Sequence, residues 1–287
     1  MTSIYRKELR SYFTTMTGVI VAAFLLFICG IYTVVYNFGG GYPNFEYALR
    51  AIYFVFLILV PILTMRSFAE ERSSRTDQLL YSLPMSLRSI VIGKYLAMVT
   101  VIALPVLLMA FIPPILSIYG SVNFASAYAT LFAFFLMGCA LIAIGMFFSS
   151  LTESQIISAV ITFGALLICD LADGISSLIP TTPIASFICL TTFLIILAFV
   201  LYNATKNGTV AGIAFIVLEA ALLILYLVNS SVFEGLVPDI ISRFAVFDSL
   251  SSFSGGRFDV TVIVYYLSIA VAFVFFTEKS MEHRRNA

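Results

Sequence analysis

Charge is scarce in this sequence. Only 10% of its 287 residues are Asp, Glu, Lys or Arg, whereas 61% are hydrophobic. An ordinary soluble domain carries roughly 25% charged residues, so too little polar surface is present here to cover a water-soluble fold. The composition therefore predicts a protein embedded in the lipid bilayer. The formal net charge is zero, which excludes the overall electrostatic footprint of a nucleic-acid-binding protein.

Histidine and cysteine are also rare, with one His and four Cys. His283 lies in the charged C-terminal tail, and every cysteine lies inside an apolar run without a CxxC pair. A zinc site or a disulfide framework would need clustered or loop-borne cysteines, so we expect small buried thiols and no metal site. An intramembrane enzyme would need clustered Glu, His or Ser-Lys pairs, so we expect no catalytic residue in this chain.

Long stretches without charge predict an all-α polytopic membrane protein with about eight transmembrane helices, folded as one domain over 1–287. A spanning helix needs roughly 20 apolar residues. No charged residue occurs from Tyr95 to Thr152, which is long enough for two crossings with a turn near Gly120 to Asn123. Gly138 and Gly145 predict close helix contact in the second of these two spans. The predicted spans are residues 17–37, 51–65, the two within 95–152, 156–173, 184–202, 209–229 and 260–276.

Placement of the basic residues predicts the orientation. Eight crossings put both termini on one side, together with the segment 66–94. Twelve of the fifteen Lys and Arg fall on that side, and only Arg50, Arg243 and Arg257 fall on the other. By the positive-inside rule, both termini are expected to be cytoplasmic and the loop 230–258 extracytoplasmic. We expect no nucleotide-binding domain, because GGGYP at 39–43 lacks the GK[ST] ending of a P-loop.

The charged segment 66–94, RSFAEERSSRTDQLLYSLPMSLRSIVIGK, separates the second and third predicted spans. We expect Ser67 to Ser82 to form an amphipathic helix along the cytoplasmic surface, with Glu71 and Arg75 as an i,i+4 pair. Pro84 would end that helix and form an elbow. An elbow joined to two membrane helices could transmit a push from a soluble partner. Periodicity alone equally allows an interfacial helix that only anchors the loop.

Part of this segment, EERSSRTDQLLYSLPMSLRSIVIGKYLA, resembles the cytoplasmic connection of type-2 ABC exporter permeases. That connection usually reads as a Glu, a Gly-Thr, two leucines, a Pro and a Gly-Lys leading into the next helix. The positions that keep its spacing are Glu71, Thr76, Leu79, Leu80, Pro84, Gly93 and Lys94. The stretches LIAIGMFFSSLTESQ and FDSLSSFSGGRFDVTVIVYYLSIAVAFVFFTEKSMEHRR are similar to the gliding-motility-type branch of that family. Arg75 stands where the family usually has Gly, and the spans within 184–229 add a pair to the usual six-helix core.

The resemblance implies a permease subunit of an exporter in a bacterial plasma membrane, with both termini cytoplasmic. Residues 67–93 would act as a coupling helix seated in a separate cytoplasmic ATPase. That ATPase would bind ATP and Mg, leaving no cofactor in this chain, and a second permease copy or paralogue would complete the transporter within the lipid bilayer. No nucleic acid is expected. The residues implied in ATPase coupling are Glu70, Glu71, Arg72, Arg75, Thr76, Asp77, Leu79, Leu80, Leu83 and Pro84.

Two acidic residues, Glu219 and Asp170, lie within predicted spans. An ionised side chain at mid-bilayer costs on the order of 3 kcal/mol, so each is a candidate for a substrate or proton role or for a structural hydrogen bond. An ion-coupled secondary transporter could use both as carriers, but such folds are built from repeats, and no convincing repeat is present. A non-transporting membrane anchor of an ATPase assembly is a further alternative that the sequence does not separate from a permease.

Overall fold

The computed structural model describes residues 2–76, 86–206, 208–253 and 259–286. The described ranges are predominantly helical and contain no β-strand. The predicted all-α polytopic fold is therefore confirmed at this level. The α-helices are α1 (Thr2–Thr14), α2 (Thr17–Tyr32), α3 (Phe45–Ile52), α4 (Phe56–Thr64), α5 (Ala69–Ser73), α6 (Leu87–Met109), α7 (Ile112–Leu116), α8 (Phe124–Leu151), α9 (Gln155–Leu178), α10 (Pro183–Thr205), α11 (Gly208–Val228), α12 (Leu236–Ser242) and α13 (Val260–Asn286). A π-helix (Thr33–Gly39) continues α2, and short 3₁₀ segments cover Tyr53–Val55, Ser230–Phe233 and Asp248–Phe253.

Seven helical segments within the described ranges are long and apolar enough to cross a membrane: Thr17–Gly39, Phe45–Ser73, Leu87–Leu116, Phe124–Leu151, Gln155–Leu178, Pro183–Asn203 and Val260–Arg285. The remaining predicted span, 209–229, corresponds to α11. Its section Gly212–Val228 qualifies only together with Ser230–Ser242, after a bend of 112°. The structure thus has seven candidate spans, or eight if the bent pair counts as one.

One compact unit comprises Met1–Ile168 and Val246–Ala287. Helix α8 is central to it and packs against α4, α6 and α13. The close contact predicted for the two glycines of α8 is confirmed. A Cβ atom on Gly138 would lie 3.1 Å from Phe56 Cζ, and one on Gly145 would lie 2.5 Å from Thr64 Oγ1. Glycine therefore lets α4 approach α8 more closely than any other residue would.

A second unit comprises Cys169–Ala245, in which α10 packs against α11 and α12. The rings of Phe187, Tyr226 and Phe233 cluster where these elements meet. The first two are tilted, with centroids 5.0 Å apart, and the last two make an edge-to-face contact, with centroids 5.6 Å apart. All four cysteines of the chain are free. Cys29 and Cys139 in the first unit are buried as expected, whereas Cys169 and Cys189 in the second unit are only partly buried.

The helix expected over Ser67 to Ser82 is wrong in its described part. Helix α5 ends at Ser73, and Arg75 adopts a left-handed conformation with φ 56°. Arg75 N–H bonds to Arg72 O at 2.9 Å, and Thr76 N–H bonds to Glu71 O at 2.8 Å, which is the hydrogen-bond pattern of a Schellman cap. This cap stops the helix before Pro84 can. Glycine is the residue that most readily adopts the backbone conformation of Arg75.

The rest of the predicted coupling segment is divided. Asp77, Leu79, Leu80, Leu83 and Pro84 lie outside the described residues. Helix α6 begins at Leu87, so the last residues of 67–93 belong to a spanning helix and are no separate surface element.

Candidate functional site

A buried lysine joins three helices at the end of the first unit where α6 begins. The Lys94 side chain on α6 is only 2% exposed, and its Nζ lies 2.9 Å from Glu71 Oε1 on α5 and 3.1 Å from Glu8 Oε1 on α1. The same ammonium group donates to the carbonyl oxygen of Ser67 at 2.7 Å and lies 5.2 Å from the ring centroid of Phe68. We call Lys94, Glu8, Glu71, Ser67 and Phe68 the lysine hub.

Three acceptors surround the Lys94 ammonium group. It donates hydrogen bonds to the Glu8 carboxylate and the Ser67 carbonyl oxygen, and it forms an ion pair with the Glu71 carboxylate. The carboxylate side chains are only 13% and 16% exposed, so water screens these charge pairs weakly. Losing the cation would leave two buried anions side by side. The lysine hub therefore resists separation of α1, α5 and α6.

A second, more exposed ion pair fixes the chain just before α5. Arg66 donates to Glu70 through Nε at 2.9 Å and Nη2 at 2.8 Å, a bidentate geometry, and its Nη1 donates to Thr17 Oγ1 at 3.1 Å. Thr17 is the first residue of α2. Because the pair is partly exposed, it contributes orientation more than stability.

The start of α5 is capped by a residue from a distant helix. The Phe68 and Ala69 N–H groups both donate to Ser149 Oγ on α8, each at 3.2 Å. These are donors that a helix start leaves without an intrahelical partner. Arg72 on α5 is buried and donates to the Thr152 carbonyl oxygen, at 3.4 Å, beyond the end of α8. Helix α5 is thus attached to α8 as well as to α1 and α6.

Helix α1 packs against this region through its tyrosines. The Tyr12 hydroxyl donates to Leu63 O at 3.2 Å, and the Tyr5 hydroxyl lies 3.0 Å from Thr100 Oγ1 on α6. Burial, with a smaller contribution from the negative charge of Glu8, raises the pKa of Tyr12 well above its ordinary value, so the phenol stays protonated as a donor. Gly18 allows the start of α2 to lie close to α1, because a Cβ atom at this position would lie 3.2 Å from Tyr12 O.

The structure brings part of the predicted coupling set together. Glu70, Glu71 and Arg72 all lie on α5 and hold it to its neighbours. Arg75 and Thr76 are exposed in the turn that follows. The expected pairing of Glu71 with Arg75 is replaced, since the Glu71 carboxylate lies against Lys94.

Sequence reasoning missed Glu8 and Ser149. It placed Lys94 among the basic residues of the cytoplasmic segment and in the Gly-Lys that leads into the next helix, and it did not predict that the side chain is buried and paired. The available signal was its position as the last charge before the long charge-free stretch that begins at Tyr95. Its inward direction depends on Glu8, which is 86 positions away in the chain. A local pattern does not carry that information.

The two intramembrane acids lie in the second unit. Glu219 on α11 accepts a hydrogen bond from Thr191 Oγ1 on α10 at 3.0 Å, which is the structural role considered from the sequence. Its other oxygen, Oε2, is buried without a hydrogen-bond partner, as is Oδ1 of Asp170. No hydrogen bond between described residues joins the two acids, and the described residues include no group of three His, Cys, Asp or Glu able to hold a metal ion.

No protein-family model, no curated protein and no solved structure matches this chain. The geometry of the lysine hub and the motif in 66–94 are therefore the observations that bear on its function.

Proposed function

We propose that this chain is the transmembrane permease subunit of an ATP-binding-cassette exporter, which couples ATP hydrolysis by a separate ATPase to movement of a substrate. The observation that carries the proposal is the attachment of α5. Lys94 fixes α5 to α1 and α6, while Ser149 and Arg72 fix it to α8. A force applied next to α5 would reach several spanning helices at once.

A transmission element must be stiff toward the membrane and open toward the partner. The lysine hub supplies the stiffness, because its charges are mostly buried and the ammonium group is held by two hydrogen bonds and a further ion pair. Ser73, Ser74, Arg75 and Thr76 are exposed directly after it and supply a polar surface. A segment that merely anchored a loop would not need a buried ion network of this kind.

The proposal assigns two roles to the predicted coupling residues. Glu70, Glu71 and Arg72 would hold the elbow. The predicted coupling residues that follow α5 would contact the ATPase: Arg75, Thr76, Asp77, Leu79, Leu80, Leu83 and Pro84. ATP and Mg would bind to the partner. Closure of two ATPases would then move this chain against a second permease copy or paralogue in a bacterial plasma membrane, with both termini cytoplasmic.

Co-purification with the ATPase encoded by the adjacent gene tests this assignment. Leu80→Asp places a charge on the proposed contact surface and is expected to abolish co-purification. Leu178→Asp is the matched control, since Leu178 is exposed at the end of α9, on the predicted outer side. If Leu80→Asp retained the ATPase as well as the control does, the coupling assignment would be wrong.

An ion-coupled secondary transporter is the second candidate, because Glu219 Oε2 is buried within a span without a partner. Proteoliposomes that contain this chain alone, under an imposed proton gradient, separate the two functions. A permease without its ATPase should leave the gradient intact. Faster proton entry that disappears in Glu219→Gln but persists in Thr191→Val would favour the ion carrier.

A non-transporting membrane anchor would also bind the ATPase. It differs in that ATP added to vesicles containing the complex would move no cargo. An ATP-dependent flux that survives an uncoupler supports the exporter, whereas a flux that an uncoupler abolishes and ATP depletion does not would refute it.

A further inference from the structure

Helix α1 has one face committed to the protein interior. Ile4, Glu8 and Tyr12 follow an i, i+4, i+8 spacing, which places them on one side of the helix. Ile4 and Tyr12 are buried, and Glu8 reaches Lys94. The only acidic residue of α1 is therefore directed into the protein and paired there.

The opposite side of α1 carries only positive charge. Arg6, Lys7 and Arg10 are all exposed, and we call them the basic face. None of the three forms an ion pair with another described residue. At 100° per residue, Arg6 and Arg10 lie about opposite the buried side, and Lys7 lies about 100° around the helix from its centre. Because Glu8 points away, no carboxylate of α1 offsets their charge.

An apolar strip separates the basic face from the buried side. Leu9 is half-buried, Phe13 is 38% exposed and Met16, just after the helix, is 66% exposed. The first candidate membrane span begins at Thr17, the next residue. Helix α1 thus reaches the bilayer with exposed apolar side chains beside exposed cations, the arrangement of a helix that lies in the interface between headgroups and acyl chains.

We propose that the basic face of α1 binds the phosphate groups of anionic phospholipids, while Phe13 and Met16 contact the upper acyl chains. Arg and Lys near a membrane surface attract anionic headgroups, and three such residues on one short helix act together. The opposite side of the same helix holds Glu8 against Lys94, so lipid binding would load the lysine hub directly. This inference does not require an ATPase and would stand if the proposed function were wrong.

The absence of tryptophan makes the site observable in the full-length protein. The chain contains no Trp, so Phe13→Trp places a single tryptophan beside the basic face, and its emission can be excited selectively over that of the tyrosines. The purified variant is reconstituted in phosphatidylcholine vesicles with brominated phosphatidylglycerol or brominated phosphatidylcholine as quencher. Quenching yields the relative association constant of the two lipids at that position. From roughly fivefold per basic residue near a surface, we expect at least about a fivefold preference for the anionic lipid.

Two comparisons make the result specific. Adding Arg6→Gln, Lys7→Gln and Arg10→Gln to Phe13→Trp is expected to bring the ratio to about one. A Phe111→Trp probe, at an exposed site beyond the other end of α6 with no charged neighbours in sequence, should show no preference. In the Phe13→Trp variant that keeps all three basic residues, raising the salt concentration should lower the preference for the anionic lipid.

The proposal is overturned if Phe13→Trp shows no preference, if the three glutamines leave the preference unchanged, or if Phe111→Trp shows the same preference. If the basic face shows no preference for anionic lipid but binds a soluble acidic protein, that protein is its partner and the lipid proposal is wrong. The salt titration decides the matter in the event that the glutamine variant does not fold.

Discussion

Replacing Lys94 by methionine tests the lysine hub most directly. Met keeps the length and apolar stem of the side chain but removes the charge. It would leave Glu8 and Glu71 as neighbouring, mostly buried carboxylates, and the Ser67 carbonyl oxygen without its donor. Removing one partner of a buried ion pair costs about 3–5 kcal/mol. Because each carboxylate retains some exposure, the lower part of that range, about 3 kcal/mol, is expected.

Thermal unfolding followed with a fluorogenic thiol reagent measures this loss. Cys169 and Cys189 are only partly buried, so both are first replaced by serine in every protein compared. Cys29 and Cys139 are buried and should then react only when the first unit opens. At about 2–4 °C per kcal/mol, the melting temperature should fall by roughly 6–12 °C in Lys94→Met. Lys279→Met is the control, because Lys279 forms an exposed pair with Glu282 and its loss should leave the melting temperature unchanged.

The loss of stability in Lys94→Met comes from the two carboxylates left unpaired, so neutralising them should restore most of the stability. Lys94→Met combined with Glu8→Gln and Glu71→Gln is expected to melt well above Lys94→Met alone. Two results would refute the reasoning: a Lys94→Met protein that melts with the wild type, or a triple variant that melts no higher than the single one.

Two further predictions concern backbone positions. Gly145→Ala should destabilise the protein by about 1–3 kcal/mol, because its Cβ would overlap Thr64 Oγ1. Gly164→Ala, with open space around the new Cβ, should be neutral or stabilising. Equal melting temperatures for the two variants would contradict the close contact at Gly145. Arg75→Gly should stabilise the protein by about 1 kcal/mol, because glycine adopts the left-handed φ without strain. Arg75→Val should be less stable than the wild type. If chemical denaturation gave the reverse order of stability, the cap would not be formed.

Spanning helices were predictable because the length of an apolar run is set by the thickness of the bilayer. The boundaries of α9 and α10 and the turn near Gly120 lie close to the predicted ones. The start of α6 was misplaced, since the span was counted only from the charge-free stretch that begins at Tyr95. A lysine can be buried between packed helices when carboxylates from two other segments neutralise it, and that requires tertiary structure.

The segment from Ser67 to Ser82 shows the same limit of prediction from sequence, over a shorter distance in the chain. Amphipathic spacing from Ser67 to Ser82 favoured one continuous helix, and the charges at positions 71 and 75 supported it. The left-handed conformation of Arg75 ends the helix instead, and Ser149 binds its first N–H groups from α8. Neither feature follows from the periodicity of the segment. The glycine that the permease resemblance leads one to expect at position 75 was the one local indication of this earlier stop.

The hydroxyl of Ser149 has a consequence for any motion of this region. Its oxygen accepts from Phe68 and Ala69 and lies 3.4 Å from the Met65 carbonyl oxygen, so its lone pairs and its proton are all engaged. Moving the start of α5 away from α8 would leave two buried amide groups without an acceptor unless water entered at the same time. Detachment and hydration are therefore expected in a single step, so α5 and α8 either move together or separate fully.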